Sequence, residues 1–235
     1  MMKITGMKVN HKENPIGYDF PYLCGLGLYE VYVDGEKAGD EYLMPGYHSY
    51  DLTQEYQTID LTAALTKGAH DLSVMLGNGW YKGRFVFEGG FENLYGDCLK
   101  LIAELHITYA DGSRQIIGTD DSWTAETTKI GANNIYDGEA QDGRLAAHPV
   151  SCTVDGGGKD LLCARTSMPI RAAGEIAPVR ILSTPAGETV LDFGQVIFRP
   201  GTERFRMTRI RAPGPSHRRS TGSSPMSVLP KCVIF

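Results

Sequence analysis

Large apolar and polar residues alternate through Leu28-Tyr29-Glu30-Val31-Tyr32-Val33, Asp34-Gly35 interrupts them, and Glu36-Lys37-Ala38 resumes toward Gly39. Alternation of period two places every second side chain on one face of a strand. Asp-Gly takes positive φ at little cost, so the run predicts a β-hairpin closed by a primed turn. A second strand is predicted over 99–109, where Leu101, Ala103, Leu105, Ile107 and Tyr109 share one face, and Asp111-Gly112 turns it back onto Gln115-Ile116-Ile117. Leu72-Ser73-Val74-Met75-Leu76 predicts another strand, preceded by one turn of helix over 61–65 capped near Thr62. Trp123 stands where a further strand would re-enter the core. Strand-like text recurs at roughly ten-residue spacing between Gly-rich turns, with no sustained helical period, so the expected fold is all-β: a β-sandwich or jelly roll.

Composition narrows the function classes. A hydrophobic fraction of 42% in 235 residues is ordinary for a globular protein and sufficient for a core. The net charge of −5 argues against a general nucleic-acid binder, which needs a basic footprint. No apolar run is long enough to cross a bilayer as a helix, and Met1-Met2-Lys3-Ile4-Thr5-Gly6 carries no long apolar segment of a signal peptide. No membrane partner and a cytoplasmic location are therefore expected. Cys24, Cys98, Cys152, Cys163 and Cys232 are irregularly spaced, without the paired spacing of a zinc site, and read as incidental thiols. His48, His70, His106 and His148 are equally scattered.

Beyond the first hairpin come Pro45-Gly46-Tyr47-His48-Ser49-Tyr50-Asp51, Tyr56-Gln57-Thr58-Ile59-Asp60-Leu61-Thr62 and Leu76-Gly77-Asn78-Gly79-Trp80-Tyr81, in that order. Together they resemble the N-terminal sugar-binding β-sandwich of glycoside hydrolase family 78 α-L-rhamnosidases, a galactose-binding-like fold. Asn134-Ile135-Tyr136-Asp137-Gly138-Glu139 is similar to a strand-end motif of that family, and Asp142-Gly143-Arg144 stands where Asp-Ala-Arg is usual. The resemblance covers about 23–144, and a weaker stretch runs from Met168 to Ile197, where Asp192-Phe193-Gly194-Gln195 resembles the start of the next β-domain. It implies a rhamnose-containing carbohydrate as partner. It also implies that the acid and base of the parent enzyme, an inverting glycosidase, lie on a downstream helical barrel, so this polypeptide is not expected to be active alone; an active α-L-rhamnosidase and a non-functional structural fragment are the rival readings. Loop carboxylate pairs such as Glu88 with Glu92 are too common to suggest otherwise.

Two groups of residues could carry recognition. A sugar presents apolar C–H faces and a ring of hydroxyls, so its site needs an aromatic wall beside fixed polar groups. Tyr47, Tyr50, Asp51, Asn78, Trp80 and Tyr81 supply both, on Gly-punctuated loops. The competing reading makes Trp80 and Tyr50 core residues plugging one end of the sandwich. The resemblance favours the wall, although Tyr47 replaces a usual Trp and Asn78 a common Asp. The second group, with Asn133 and Asp142 at its margins, centres on Asn134, Asp137 and Glu139. Clustered oxygens around a Gly turn suit calcium, the candidate cofactor, and in some family members calcium is what holds the sugar. The alternative is an Asx-turn, with Asp137 capping backbone amides and Arg144 paired to a carboxylate.

The expected organisation is a leader over 1–22, resembling the start of a fibronectin-like module whose remainder is absent; the sandwich over 23–150; a linker over 151–165 around Gly156-Gly157-Gly158; the start of a second β-domain over 166–197; and a tail over 198–235. The leader is expected to pack loosely. The tail interleaves Arg199, Arg204, Arg206, Arg209, Arg211, Arg218 and Arg219 with Pro, Gly and Ser, which leaves too little apolar surface to order itself. A basic nucleic-acid arm is one reading. The abrupt switch of text favours the other, a change of reading frame after Ile197.

Overall fold

In the computed structural model, residues 1–11, 20–86, 89–194 and 232–234 are described. Two stacked sheets form a β-sandwich. The strands run, in chain order, β1 Met2–His11, β2 Phe20–Leu26, β3 Leu28–Val33, β4 Glu36–Ala38, β5 Glu41–Tyr42, β6 Gln54–Thr58 and β7 Gly68–Gly77. After the single helical turn α1, Gly79–Lys82, come β8 Leu99–Thr108, β9 Arg114–Gly118, β10 Thr124–Thr127, β11 Ile130–Asn134 and β12 Gly138–Gln141. The remainder are β13 Pro149–Val150, β14 Cys152–Val154, β15 Leu162–Ala164, β16 Ile170–Arg171, β17 Arg180–Ser183, β18 Thr189–Asp192 and β19 Cys232–Ile234.

One sheet has the order β13-β10-β1-β7-β3-β4; the other is β14-β19-β8-β2-β6-β15, with β9 also paired to β8. Their facing sides build the core from Ile4, Val31, Leu72, Val74, Leu76, Leu101, Ala103, Leu105 and Ile107, with Trp123 closing one side. The period-two alternation of β3 and β8 is thus the inward face of each sheet. Gly27 marks where the chain leaves one sheet for the other, between β2 and β3. Its φ is +134°, and a Cβ there would stand 2.3 Å from the Gly77 carbonyl oxygen, so no other residue fits.

The predicted primed turn forms, with φ of 51° at Asp34 and 85° at Gly35. The second hairpin differs in type. Only Gly112 takes positive φ, and Tyr109 and Ser113 close a longer loop through the Tyr109 N–H to Ser113 carbonyl bond of 2.9 Å. Residues 61–65 form a hydrogen-bonded turn and not the expected turn of helix, and next to Thr62 the Asp60 Oδ1 accepts the Thr62 N–H at 2.9 Å.

The opening is the main departure from the sequence reading. Part of the expected loose leader is β1, seated between β7 and β10, with Met2 and Ile4 fully inside the core. Polar Lys3 and Thr5 alternate with Met2 and Ile4, a period-two pattern too short to stand out until partners on both sides saturate its backbone. Residues 12–19 lie outside the described residues. So do 195–231 and 235, where the tail and frame-change expectations fall.

Asp34 also receives a clip. His70 Nδ1 lies 2.7 Å from Asp34 Oδ2, and His70 Nε2 lies 3.0 Å from the Thr66 carbonyl, an arrangement in which both ring nitrogens donate. The hydrogen bond to Asp34 raises the His70 pKa above its ordinary 6.5, while the Asp71 amide, and then His70, lower that of Asp34 below 3.8. A raised imidazole pKa stabilises the fold fully below the unfolded value and loses that effect as pH rises through the folded value; the lowered carboxylate fails as pH falls. Thermal melts of the chain and of His70→Ala are therefore expected to differ most between those two ordinary values and to converge in alkali. Leu101→Ala, which empties the sealed inner face, should cost about 2–5 kcal/mol in a denaturant titration.

Candidate functional site

Strand β2 is apolar on both sides. Leu23 points into the core between the sheets, while Cys24 and Leu26 face outward and are buried all the same. Loops 46–53 and 79–95 provide the cover. Tyr50 (2% exposed) and Tyr81 (6%) pack on Cys24 and Leu26, joined by Trp80, Tyr95, Tyr56, Ile102 and Leu162. The Tyr50 ring contacts Tyr81 edge-on at 5.3 Å, Tyr95 at 5.1 Å and His48 at 4.0 Å, and its hydroxyl donates to the Gly46 carbonyl at 3.2 Å. Burial pushes the Tyr50 hydroxyl pKa up and that of Tyr81 to about 12, so both phenols stay neutral.

On this buried layer rests an accessible one. Tyr47 is half exposed, 6.1 Å edge-on from Trp80 and 5.5 Å from Phe85. Its hydroxyl lies 3.1 Å from the Tyr95 hydroxyl, a contact that, with burial, lifts the Tyr95 pKa to about 12. Asp51 is exposed at the same loop. Half-buried Trp80 stands beside Tyr47. The result is an aromatic shelf ending in two phenols, each able to donate and accept.

Of the predicted group, Tyr47 and Trp80 stand at the accessible layer and Asp51 beside it, while Tyr50 and Tyr81 form its floor. Asn78 is a structural tie: its N–H donates to Asn133 Oδ1 at 2.7 Å and its Nδ2 to the Asn133 carbonyl at 3.2 Å. Asn133 is buried, so this pair holds the Gly77-to-α1 turn against β11. Sequence reasoning missed Phe85 and Tyr95. Both lie in the long Gly-rich loop between α1 and β8, where aromatics in an otherwise polar stretch were the available signal.

The second group is engaged within the protein. Asn134 Oδ1 accepts the Tyr136 N–H at 3.1 Å, an Asx-turn. Asp137 is gripped by Arg84 through Nε at 3.1 Å and Nη2 at 2.5 Å, which lowers its pKa. Glu139 accepts Gln141 Nε2 at 2.9 Å, and Arg144 pairs with Asp142 at 2.7 Å. Among the described residues no three acidic, His or Cys side chains converge as a metal shell. With Asp137 given to Arg84, Asn134, Asp137 and Glu139 do not fit a calcium ion in this arrangement. The two groups nevertheless adjoin, linked by Asn78–Asn133 and by Arg84, which follows α1. Glu88 lies outside the described residues.

Residues 19–154 match the family described as "Alpha-L-rhamnosidase N-terminal domain". The chain belongs to that family. An α-L-rhamnosidase of Streptomyces avermitilis is 30% identical over 199 residues, 80% of this chain but 19% of the relative, and one from Formosa agariphila is 31% identical over 191 residues, 75% of this chain and 20% of the relative. Among solved structures, the Aspergillus terreus α-L-rhamnosidase superposes with a TM-score of 0.72 at 33% identity, covering 83% of this chain and 24% of that one. The Streptomyces avermitilis enzyme complexed with L-rhamnose gives 0.68 at 26% identity, covering 83% and 20%. The chain thus spans about a fifth of the length of the curated relatives it matches.

Asn133→Ala removes the buried acceptor for the Asn78 amide and should destabilise the domain by about 1–3 kcal/mol. Asp142→Ala, which removes a solvent-screened ion pair, should leave stability nearly unchanged. Parallel chemical denaturation of the two variants checks the contrast.

Proposed function

We propose that this chain is a carbohydrate-binding module of an α-L-rhamnosidase, taking L-rhamnose or a rhamnosylated glycan at the Tyr47 shelf. The observation that carries the reading is the half-exposed Tyr47 ring, flanked by Trp80 and Phe85 and ending at the Tyr47–Tyr95 hydroxyl pair. A deoxyhexose has an apolar C–H face and a methyl group to lay on such a wall, and hydroxyls to exchange hydrogen bonds with two phenol hydroxyls. Asp51 adds an acceptor at the rim. Membership of the rhamnosidase domain family and the superposition on an enzyme solved with L-rhamnose support the choice of sugar.

In the parent enzyme the module would hold substrate near catalytic groups carried elsewhere in the chain. Hydrolysis of α-L-rhamnosides by this polypeptide alone is the competing reading. Turnover of a chromogenic α-L-rhamnoside by the purified chain would establish it.

Calorimetric titration with L-rhamnose tests the proposal. Weak but saturable heat is expected, with Tyr47→Ala and Trp80→Ala each lowering affinity by about tenfold or more. No heat, or unchanged affinity in both folded variants, overturns the shelf as the site. Repeating the titration with Ca²⁺ separates two ways of holding a hydroxyl. Calcium-independent heat leaves the task to phenols and Asp51, whereas calcium-dependent heat requires Asp137 to leave Arg84 for a cation.

A further inference from the structure

Residues beyond the Gly156-Gly157-Gly158 linker return to the sandwich. Strand β15 adds in parallel to the edge of β6, pairing Leu162 with Gln54, Cys163 with Glu55 and Ala164 with Tyr56. The Arg165 N–H then donates to the Tyr56 carbonyl at 3.1 Å, and β16 pairs antiparallel with β5, Ile170 opposite Tyr42 and Arg171 opposite Glu41. The segment therefore crosses from the edge of β6 to the short strand β5, outside both large sheets, as a continuous strap.

Its anchor is Glu55, a carboxylate only 7% exposed. Oε1 accepts the Thr166 N–H at 3.4 Å and the Thr166 hydroxyl at 2.9 Å, and Oε2 accepts the Ser167 hydroxyl at 3.3 Å. A buried carboxylate stripped of donors is costly, so Glu55 holds the strap as firmly as the strap satisfies Glu55. Glu41, itself largely buried, binds the guanidinium groups of Arg165 and, at 3.5 Å, Arg171, which also reaches Asp40 at 2.9 Å.

The strap also meets the floor of the candidate site, where partly buried Leu162 packs against the cluster of Cys24, Leu26, Tyr50 and Tyr81. Ser167 Oγ lies 3.9 Å from where a Cβ on Gly46 would stand, and Gly46 supplies the carbonyl that receives the Tyr50 hydroxyl, next to Tyr47. His48 is packed on the Tyr50 ring, and among the described residues neither of its ring nitrogens has a hydrogen-bond partner. Loop 46–50 is thus held by packing, His48 on Tyr50 included, and by the Tyr50 hydroxyl on the Gly46 carbonyl, with no hydrogen bond from the His48 ring among the described residues.

We infer that residues 162–171 are a locking strap, pinned by Glu55 and Glu41, that fixes the base of loop 46–50, so that Glu55 is a positioning residue for the aromatic shelf. The strap lies outside the region 19–154 that defines the family match. It ties the shelf to the chain that continues into the β17–β18 hairpin. The inference concerns the mechanics of the loop and stands whether or not the shelf takes a sugar.

Limited trypsin digestion and hydrogen exchange on the full chain test it. In the unaltered chain the Arg165–Thr166 bond should resist cleavage while the bond after exposed Lys159 is cut. Glu55→Gln should speed Arg165 cleavage at least about tenfold, because cleavage tracks the open population. Exchange should rise together in 162–171 and 46–50, while β8 amides stay protected. Glu41→Gln, which keeps both arginine sites, should give the same pattern and carries the test if the Glu55 variant does not fold. Cleavage of Arg165 as fast as Lys159 in the unaltered chain overturns the strap. A strap that opens in the variants while 46–50 stays protected overturns its hold on the loop.

Discussion

A strand buried on both faces needs two layers of cover, and β2 is such a strand. Its inward side chains meet the facing sheet; its outward Cys24 and Leu26 require something else. The loop before β6 and the helical turn α1 fold back to supply it, with Tyr50 and Tyr81 as the covering groups. Everything accessible at the candidate site stands on that secondary core. Large rings are suited to the task, since each removes a wide apolar area from water while its hydroxyl finds a partner at the rim.

The same requirement explains why the surroundings are so densely tied. A layer made of loops lacks the repeating ladder of a sheet, so individual polar groups must hold it in place. Asn133 secures the turn into α1, Arg84 joins the following loop to the β11–β12 turn through Asp137, and Glu55 fastens the crossing segment 162–171. Two of these ties, Asn133 and Glu55, are buried polar side chains that accept backbone N–H groups from elements distant in the chain. Such pairings set register as much as stability, because a slip of one residue would strand the acceptor.

Strands with long alternation are legible in the sequence alone. The β3–β4 hairpin, the inward face of β8 and the buried Trp123 follow from local pattern and turn chemistry alone. Strand β1 is not, because its described alternation is brief and its place depends on ladders with β7 and β10, the latter more than a hundred residues away. Among the aromatics, Tyr47 and Tyr50 are three residues apart in one loop, yet one is half exposed and the other sealed. Nothing in the text distinguishes them; the difference arises from which ring meets the outer side of β2. Arg84 escaped notice for a similar reason, since its partner Asp137 comes 53 residues later.

The sequence by itself determined an all-β chain, the sites of its tight turns and the rhamnosidase-domain kinship, since these rest on alternation, on glycine's freedom at positive φ and on ordered motifs. The tertiary structure alone decided which loop aromatics are floor and which are shelf, and that Asp137 serves an arginine. It also decided that 162–171 belongs against the sandwich. Those outcomes depend on burial and on contacts between residues far apart in the chain, and neither quantity is carried by any short stretch of sequence.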